Sequence, residues 1–225
     1  MADRPRIAVL GGTGKEGSGL ALRWARAGFP VAIGSRDLER ARAAVERLRP
    51  LASAASLYGL TNAEAAAWGE VVVIAVPYEG HGPLLEALRE TLRGKRVIDV
   101  VVPLDPQNPR RYAPPPEGSA TAEAQRILGP ETPVVGAFHN ISHHLLHDPE
   151  GTPDCDVLVV GDHREAKAEA IALAEAIGLT AYDAGPLANA SIVEGLTAVL
   201  IGLNMRYKTR GAGIRITGIP KRRSS

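Results

Sequence analysis

The chain has 225 residues, a formal net charge of +1 at pH 7 and 45% hydrophobic residues. This length suits one medium-sized domain or a domain with a small appendage, and the hydrophobic share is enough for a sizeable core. The near-zero net charge gives no indication of a nucleic acid or a membrane surface as a partner.

The first twelve residues run from a charged start directly into a strand-like segment, without the long apolar stretch of a secretory signal. No apolar run elsewhere has the length that spans a bilayer. The single cysteine, Cys155, excludes a disulfide within the chain and fits a reducing compartment. We interpret its thiol as a small buried hydrophobe, and we expect a cytoplasmic protein.

Short β-branched runs alternate with alanine-rich helical patterns over the first 138 residues. The predicted strands are Arg6–Leu10, Val31–Gly34, Ser56–Leu60, Val71–Val76, Arg96–Val102 and Pro133–Phe138. The predicted helices are Gly14–Ala27, Leu38–Leu48, Glu64–Trp68, Pro83–Leu92 and Ala120–Leu128. This alternation is typical of a parallel sheet with helices on both faces, and it predicts an α/β fold with a doubly wound Rossmann sheet.

A glycine-rich turn lies between the first predicted strand and the first predicted helix. Its residues match the pattern G-x-G-x-x-G: Gly12, Thr13, Gly14, Lys15, Glu16 and Gly17. In that pattern, the first glycine permits a tight turn, the second lets the backbone approach a pyrophosphate, and the third lets the helix pack closely on the sheet. The helix N-terminus adds unpaired N–H groups and a positive dipole end. We therefore predict that these six residues bind a dinucleotide.

The end of the second strand indicates which dinucleotide binds. NAD-binding sites place an acidic residue there to hold the ribose hydroxyls, whereas this chain has Ser35 and Arg36, with Arg40 one helical turn later. Two guanidinium groups and a hydroxyl suit a 2′-phosphate, because arginine offers a planar fork of donors to phosphate oxygens. We interpret Asp37 as the N-cap of the next helix rather than as a ribose ligand. The pattern favours NADP(H).

The segment Pro103–Pro116 contains six prolines and cannot continue a helix. It is predicted to be a surface loop at the carboxyl end of the fifth strand, close to where such sheets bind ligands.

After Phe138 the composition changes to a histidine-rich stretch. A strand over 156–161, a helix over 164–177, a strand over 180–183 and a long helix over 191–207 are predicted to follow. We expect a Rossmann domain over 1–138 and a small α/β C-terminal domain over 139–225, although residues 156–177 also suit an extension of the first sheet. Glu194, the one carboxylate in the long helix, is interpreted as a packed or capping side chain.

Apolar residues recur at helical spacing in this last helix, as expected for a packing face in the core or at a subunit interface. They are Ile192, Val193, Leu196, Val199, Leu200 and Leu203. The sequence does not choose between these two uses. We expect a homodimer.

Six segments together resemble the NADPH:coenzyme F420 oxidoreductase family, from about Ile7 to Pro220. They read GGTGKEGSGLALR, GSRD, VPYE, FHNIS, DAGPLANASIVEGLT and RYKTRGAGIRITGIP. The resemblance implies NADP(H) on the Rossmann domain and a small C-terminal domain that completes a cleft for coenzyme F420, a deazaflavin. Hydride would then pass directly between the nicotinamide and the deazaflavin, while the protein supplies binding, orientation and electrostatics.

The resemblance also implies roles for particular residues. The NADP phosphate contacts match Thr13, Ser35, Arg36 and Arg40, and the turn beneath the nicotinamide matches Val76 and Pro77. The segment where the two rings meet matches His139, Asn140 and Ile141, and the C-terminal side of the cleft matches Leu187, Asn189 and Ser191. His139 is the candidate catalytic residue, because a histidine beside the rings can hydrogen-bond the polar edge of the deazaflavin.

The histidines after His139 leave the hydride acceptor open. His143 and His147 have the i, i+4 spacing of metal ligands, and His144 lies between them. No glutamate or cysteine accompanies them in a metal-binding pattern, so we predict no metal site. A flavin or ferric/cupric reductase of the same fold and a non-enzymatic NADP(H) sensor remain alternatives. Four cationic residues either meet an acidic coenzyme tail or are merely solvated: Arg206, Lys208, Arg210 and Arg215.

Overall fold

The computed structural model describes residues 4–52, 57–148, 151 and 153–219. The strands are β1 Ile7–Leu10, β2 Val31–Ser35, β3 Leu57–Thr61, β4 Val71–Ile74, β5 Arg96–Asp99, β6 Leu104–Asp105, β7 Asn108–Tyr112, β8 Val134–Gly136, β9 Asp156–Val159 and β10 Thr180–Asp183. The helices are α1 Lys15–Arg26, α2 Leu38–Leu48, α3 Asn62–Trp68, α4 His81–Leu92, α5 Ala120–Leu128, α6 His143–His147, α7 Arg164–Glu175 and α8 Ala190–Tyr207. The predicted strand start at Ser56 lies outside the described residues.

Six strands form one parallel sheet in the order β3-β2-β1-β4-β5-β8. This order confirms the predicted doubly wound Rossmann sheet, because the chain winds outward from β1 in one direction and from β4 in the other. β4 and β5 end earlier than predicted. The residues that follow them, 75–77 and 100–102, line a cavity, although Ala75 and Val100 still donate their amides to the neighbouring strand at 2.9 and 3.2 Å.

Apolar side chains cover both faces of this sheet. On β1, Ile7 and Val9 belong to one buried cluster with α1, α2 and α7, while Ala8 and Leu10 belong to a second cluster with α3, α4 and α5. Since alternate strand residues point to opposite faces, burial on both faces makes the strand apolar throughout. Trp24 of α1 packs edge-on against Phe138 at 5.6 Å between ring centroids.

The proline-rich segment is not the predicted loop. β6 and β7 form an antiparallel hairpin, and the Asp105 carboxylate accepts hydrogen bonds from the amides of Gln107 and Asn108 in its turn. The tolerance for proline comes from the hairpin's position outside the central sheet, where few backbone donors have a partner to lose.

The C-terminal elements share the core of the first sheet. β9 and β10 pair in parallel, and the backbone of Val160 bridges to Gly136, with both N···O distances 2.9 Å. α7 packs in the same cluster as α1, and Trp24 donates its indole N–H to the carbonyl of Leu173 at 3.0 Å. The division into 1–138 and 139–225 stays a prediction.

Helix α8 differs from one sequence expectation. In the described ranges, Leu187–Tyr207 is long and apolar enough to cross a membrane by length and composition, so the expectation that no stretch has this length is wrong by that criterion. In the fold, α8 packs on the β6–β7 hairpin and on α5. Its Glu194 side chain is fully buried there.

Candidate functional site

The backbone of the glycine turn packs so closely against its surroundings that two of its glycines leave no room for a Cβ atom. Gly11 has φ +75°, and a Cβ there would lie 2.7 Å from the carbonyl oxygen of Ala75. A Cβ on Gly17 would lie 2.9 Å from the Cα of Gly12. The left-handed residue of the turn is therefore Gly11, one position before the residue that the motif suggests. Asn62 supports the turn, since its Oδ1 accepts the Gly11 N–H at 3.2 Å.

Helix α1 starts directly after this turn without a side-chain cap. Its N-cap residue is the exposed Gly14, and the next residue, Lys15, is also exposed. The N–H groups of the first turn of a helix have no partner within the helix. They are thus available to an anion that approaches along the glycine backbone.

The end of β2 lies beside the glycine turn, because the Gly12 N–H donates to the carbonyl of Gly34 at 3.1 Å. Ser35 is buried, whereas Arg36 and Arg40 are exposed. The Asp37 carboxylate accepts the amides of residues 39 and 40 at 2.9 and 3.3 Å. This confirms that it caps α2 and is engaged there. The guanidinium groups beside the turn suit a phosphate rather than a bare ribose.

A cavity of about 500 Å³ lies at the carboxyl ends of β4, β5 and β8, where open α/β sheets bind ligands. Helix α8 and the segment after it form the opposite wall. Six residues predicted from the sequence line it together: Glu16, Val76, Pro77, His139, Asn140 and Ile141. The other lining residues are Ala75, Tyr78, Val100, Val101, Val102, Phe138, Ser142, His143, His144, Thr197, Leu200, Ile201, Asn204, Met205, Thr209, Arg210 and Ala212.

His139 sits at the end of β8 in a constrained position. The residue before it, Phe138, has φ +65°, a left-handed conformation that non-glycine residues adopt only where the surroundings hold them. The His139 ring is buried beside the carboxylate and the backbone of Asp99, and within the described residues neither ring nitrogen makes a hydrogen bond of normal geometry. Burial lowers the pKa of His139 to about 4. The imidazole is therefore neutral at physiological pH, with one nitrogen able to donate and one able to accept.

Two polar side chains, one on α8 and one on the segment after β8, hold that segment against the helix. Thr197 donates its hydroxyl to the carbonyl of His139 at 2.8 Å. Asn140 donates its amide to the carbonyl of Val193 at 3.0 Å. Further along, the Ser142 hydroxyl donates to the carbonyl of Arg210 at 2.6 Å. The cavity wall after β8 is thus tied to α8 and to the segment that follows it.

A buried ionisable cluster supports the neighbouring wall. The fully buried His81 ring bonds to the carboxylates of Asp99 at 2.8 Å and Glu123 at 3.2 Å. Although burial alone would lower the pKa of His81, the two carboxylates raise it to about 9. The second oxygen of Asp99 accepts the amide of Val101 at 3.0 Å. The cluster thereby fixes the backbone that follows β5, part of which lines the cavity.

The three residues predicted to form the C-terminal side of the cleft do not line the cavity. Leu187, Asn189 and Ser191 lie at the start of α8, at the other end of that helix from the cavity. Asn189 donates its side-chain amide to the carbonyl of Ala184 at 2.8 Å, so it holds the turn before α8. Their role beside the deazaflavin stays a prediction.

The residues that sequence reasoning missed come mainly from the middle of α8. Thr197, Leu200, Ile201 and Asn204 line the cavity, and their spacing of three, four and seven residues marks one helix face. The apolar stripe noted in the sequence runs partly along a different face. The sequence signal for this cavity-lining face was a helical stripe that mixes polar residues, Thr197 and Asn204, with apolar ones, Leu200 and Ile201.

The histidine cluster divides into two parts. His147 links α6 to α1, because its Nε2 lies 2.9 Å from the carbonyl of Lys15 and 3.2 Å from the hydroxyl of Ser18. His143 and His144 line the cavity, with ring centroids 4.0 Å apart. Across residues 4–52, 57–148, 151 and 153–219, no three His, Cys, Asp or Glu side chains group as metal ligands would.

Comparison with known proteins identifies the family. The model of the family described as "NADP oxidoreductase coenzyme F420-dependent" matches residues 6–103. An F420-dependent NADP reductase from Methanothermobacter marburgensis is 45% identical over 223 residues, which cover 96% of this chain and 100% of that protein. One from Methanocaldococcus jannaschii is 42% identical over 222 residues, which cover 95% and 99%.

A solved structure agrees with these relatives. A proposed F420-dependent NADP reductase from Arthrobacter sp. FB24 superposes with a TM-score of 0.81 at 30% identity, covering 94% of this chain and 99% of that one. The similarity thus extends over the Rossmann sheet, the cavity and α8 alike. This chain belongs to the F420-dependent NADP reductase family.

Proposed function

We propose that this protein transfers a hydride between NADP(H) and the deazaflavin coenzyme F420. The observation that carries the proposal is the cavity of about 500 Å³ beside the glycine turn, lined by a buried histidine whose ring nitrogens make no hydrogen bond of normal geometry in the described residues. Buried polar groups are normally hydrogen-bonded, and exceptions mark places where a ligand supplies the partner. The relatives that match over nearly the full chain carry the same activity in their names.

The residues fit a dinucleotide. The N–H groups at the start of α1 would hold the pyrophosphate, with the Thr13 hydroxyl beside them. Ser35, Arg36 and Arg40 would hold the 2′-phosphate of NADP(H). Val76 and Pro77 would lie against the nicotinamide, because they line the cavity directly after β4, the strand that pairs with β1.

The second coenzyme would occupy the side of the cavity formed by His139, Ile141 and α8. With both coenzymes bound, the cavity would hold the nicotinamide and the deazaflavin side by side, and a hydride would pass between C4 of the nicotinamide and C5 of the deazaflavin. The wall of the cavity is mostly apolar, which keeps water from the rings. Because the His139 imidazole is neutral, it contributes by donating a hydrogen bond to a ring oxygen or nitrogen where negative charge builds up.

Replacing His139 by alanine is expected to slow hydride transfer by roughly 10²-fold, the usual effect of losing one such donor, without abolishing it. NADPH affinity should stay within about twofold, since the phosphate contacts lie elsewhere. Stopped-flow absorbance gives the transfer rate, and fluorescence titration gives the affinity. His163→Ala, at the start of α7 outside the cavity, is the matched control. Complete loss of transfer with intact NADPH binding would show that His139 has a more direct chemical role.

The test of the acceptor is a comparison of oxidants. The purified protein and NADPH are mixed in turn with oxidised F420, FMN, FAD and ferric complexes, and the near-ultraviolet absorbance of NADPH is followed. Rapid turnover with F420 alone supports the proposal. Turnover with a flavin or with iron in its place would support the alternative reductases, and NADPH binding without turnover would support a sensor.

We further propose that the protein is a cytoplasmic homodimer in which α8 forms part of the interface. The support is an exposed apolar surface on and near this helix, which monomers rarely leave uncovered. Its residues, with exposed fractions from 40 to 70%, are Ile192, Val199, Leu203, Met205 and Tyr207. The cytoplasmic location is supported by the cysteine content, because the chain has a single cysteine, Cys155, which is buried and forms no disulfide.

Sedimentation velocity is expected to give about twice the chain mass of 23.7 kDa. Val199→Asp with Leu203→Asp should yield monomers, because two carboxylates cannot be buried in an apolar interface without a large cost. Leu51→Asp alters an equally exposed apolar residue elsewhere and should leave the dimer intact. A monomeric parent protein at micromolar concentration would contradict the homodimer.

A further inference from the structure

Glu16 is a partly buried acid with one buried carboxyl oxygen, and the proposed hydride transfer does not use it. It lies in the first turn of α1, immediately before Gly17, and its side chain lines the cavity. Its Oε1 atom is buried without a hydrogen-bond partner among the described residues. Among the described residues, four other buried side-chain atoms have no hydrogen bond. Two are the ring nitrogens of His139, and the other two are Arg96 Nε and Glu169 Oε2, which form an ion pair with each other at 2.5 Å. The groups without any partner thus face one cavity.

In the part of the chain that the structure describes, no cation pairs with the Glu16 carboxyl. Helix α1 itself carries Lys15, Arg23 and Arg26, and Arg23 is engaged with backbone carbonyls of α6. The charged and titratable groups on the neighbouring elements are His143, His144 and His147 on α6, Tyr78 after β4, His139 after β8, Asp154, Cys155 and Asp156 at β9, and Arg210 and Arg215 after α8. His147 is engaged with α1, and Arg215 pairs with Asp154 and Asp156. Glu16 forms no hydrogen bond or ion pair with any of them in the described residues.

Burial without a partner favours the neutral carboxylic acid. It raises the pKa of Glu16 to about 8, so that the group carries a proton at pH 7. A neutral carboxyl has an O–H donor, which an ionised one lacks. The start of α1 is also where the negatively charged phosphates of a dinucleotide would lie. A second negative charge there would repel them, since like charges at close range disfavour each other.

We propose that Glu16 binds NADP(H) as a neutral acid, donating a hydrogen bond from its carboxyl group to the dinucleotide, so that NADP(H) and one proton bind together in alkaline solution. The inference rests on the dinucleotide part of the proposed function and not on the identity of the acceptor. By linkage, a ligand that binds only the protonated form raises the pKa of that group, and its own affinity falls as the proton is lost.

The direction and size of the change in NADPH affinity with pH follow from this coupling between the ligand and the proton. With a pKa of about 8 in the free protein, nearly all Glu16 is protonated at pH 7 and about a tenth at pH 9. The dissociation constant of NADPH should therefore rise about tenfold from pH 7 to pH 9. His81, with a pKa of about 9, titrates in the same range, so a variant is needed to separate the two.

The experiment is calorimetric titration of the full chain with NADPH at pH 7 and pH 9, each in two buffers of different ionisation enthalpy. We expect uptake of close to one proton per NADPH at pH 9 and little at pH 7. In Glu16→Gln, which keeps the size and a donor, uptake should vanish and affinity should stay constant with pH. Glu46→Gln, at an exposed ion pair on α2, should behave as the parent protein.

NADPH binding at pH 9 without proton uptake would overturn the inference, and so would uptake that persists in Glu16→Gln, since it would then come from His81 or another group. The parent protein alone gives the first answer, even if the variant fails to fold. Failure of NADPH to bind at any pH would overturn this inference together with the proposed function. Proton uptake in a protein that does not reduce F420 would support the inference and refute only the acceptor.

Discussion

Replacing Glu194 by alanine is expected to destabilise the fold by about 3–5 kcal/mol, because buried donors lose their acceptor at a cost of about 1–3 kcal/mol for each group left unsatisfied. The fully buried carboxyl group accepts four hydrogen bonds. Its donors are the amides of Ala120 and Thr121 at 2.9 and 3.0 Å, the Thr121 hydroxyl at 2.8 Å and the Tyr112 hydroxyl at 2.9 Å. Glu194 thus caps α5 from α8, and its loss leaves buried N–H groups unsatisfied.

Urea unfolding followed by circular dichroism measures this loss. Tyr112→Phe removes one of the four hydrogen bonds and should cost about 1 kcal/mol. Glu194→Gln keeps an acceptor but turns an amide donor toward other donors, so it should fall between the two. Glu46→Ala, at an exposed ion pair, should change stability by less than about 0.5 kcal/mol. If the free energy of unfolding of Glu194→Ala remained within about 1 kcal/mol of that of the parent protein, the capping hydrogen bonds would not be what holds α8 against α5.

Replacing Arg36 by alanine is expected to weaken NADPH binding by about 1.5–3 kcal/mol, the value of a hydrogen bond to a charged group. This corresponds to roughly a 10- to 150-fold higher dissociation constant. Binding of NADH, which lacks the 2′-phosphate, should change little. The physical reason is the position of Arg36 after β2, where it is exposed and no carboxylate pairs with it in the described part of the chain.

Dissociation constants for NADPH and NADH, measured by fluorescence titration, distinguish a phosphate contact from a general loss. Arg42→Ala is the matched control, because Arg42 is a nearby exposed arginine on α2, the helix that follows Arg36, and it pairs with Glu39 at 2.9 Å. It should leave both constants unchanged. Equal weakening of NADPH and NADH by Arg36→Ala would mean that Arg36 does not recognise the 2′-phosphate.

The sheet was predictable because its signals are local. Each of its strands is a short apolar run, and the turn that follows β1 has glycines where the backbone admits no Cβ, as at Gly17. Hydropathy alone does not say where such a run leaves the sheet. Val76 and the residues from Val100 to Val102 extend the apolar runs of β4 and β5 yet line the cavity. An apolar cavity wall and a buried strand look alike in sequence.

The parts that escaped prediction depend on contacts between distant residues. Nothing near His81 in sequence announces its pairing with Asp99 and Glu123. Likewise, Glu194 was expected to be packed or capping, but the helix it caps begins 74 residues earlier. The hairpin of β6 and β7 was hidden by its prolines, which normally oppose strands.

The apolar stripe of α8 shows the same limit. Val193 and Leu200 are buried, while Ile192 and Val199 are exposed. The helical spacing of apolar residues therefore predicted an apolar helix, but it did not indicate which of those residues face the core. A hydrophobic all-round helix satisfies a core and an interface equally well in sequence.

The most direct test of the central claim is the fate of the transferred hydrogen. NADPH carrying deuterium at both C4 positions of the nicotinamide is mixed with the protein and oxidised F420 in ordinary water, and the reduced deazaflavin is analysed by mass spectrometry. Direct hydride transfer in the cavity predicts that the deuterium appears at C5 of the deazaflavin. F420 reduced without deuterium, or NADPH oxidised while F420 stays oxidised, would contradict the account.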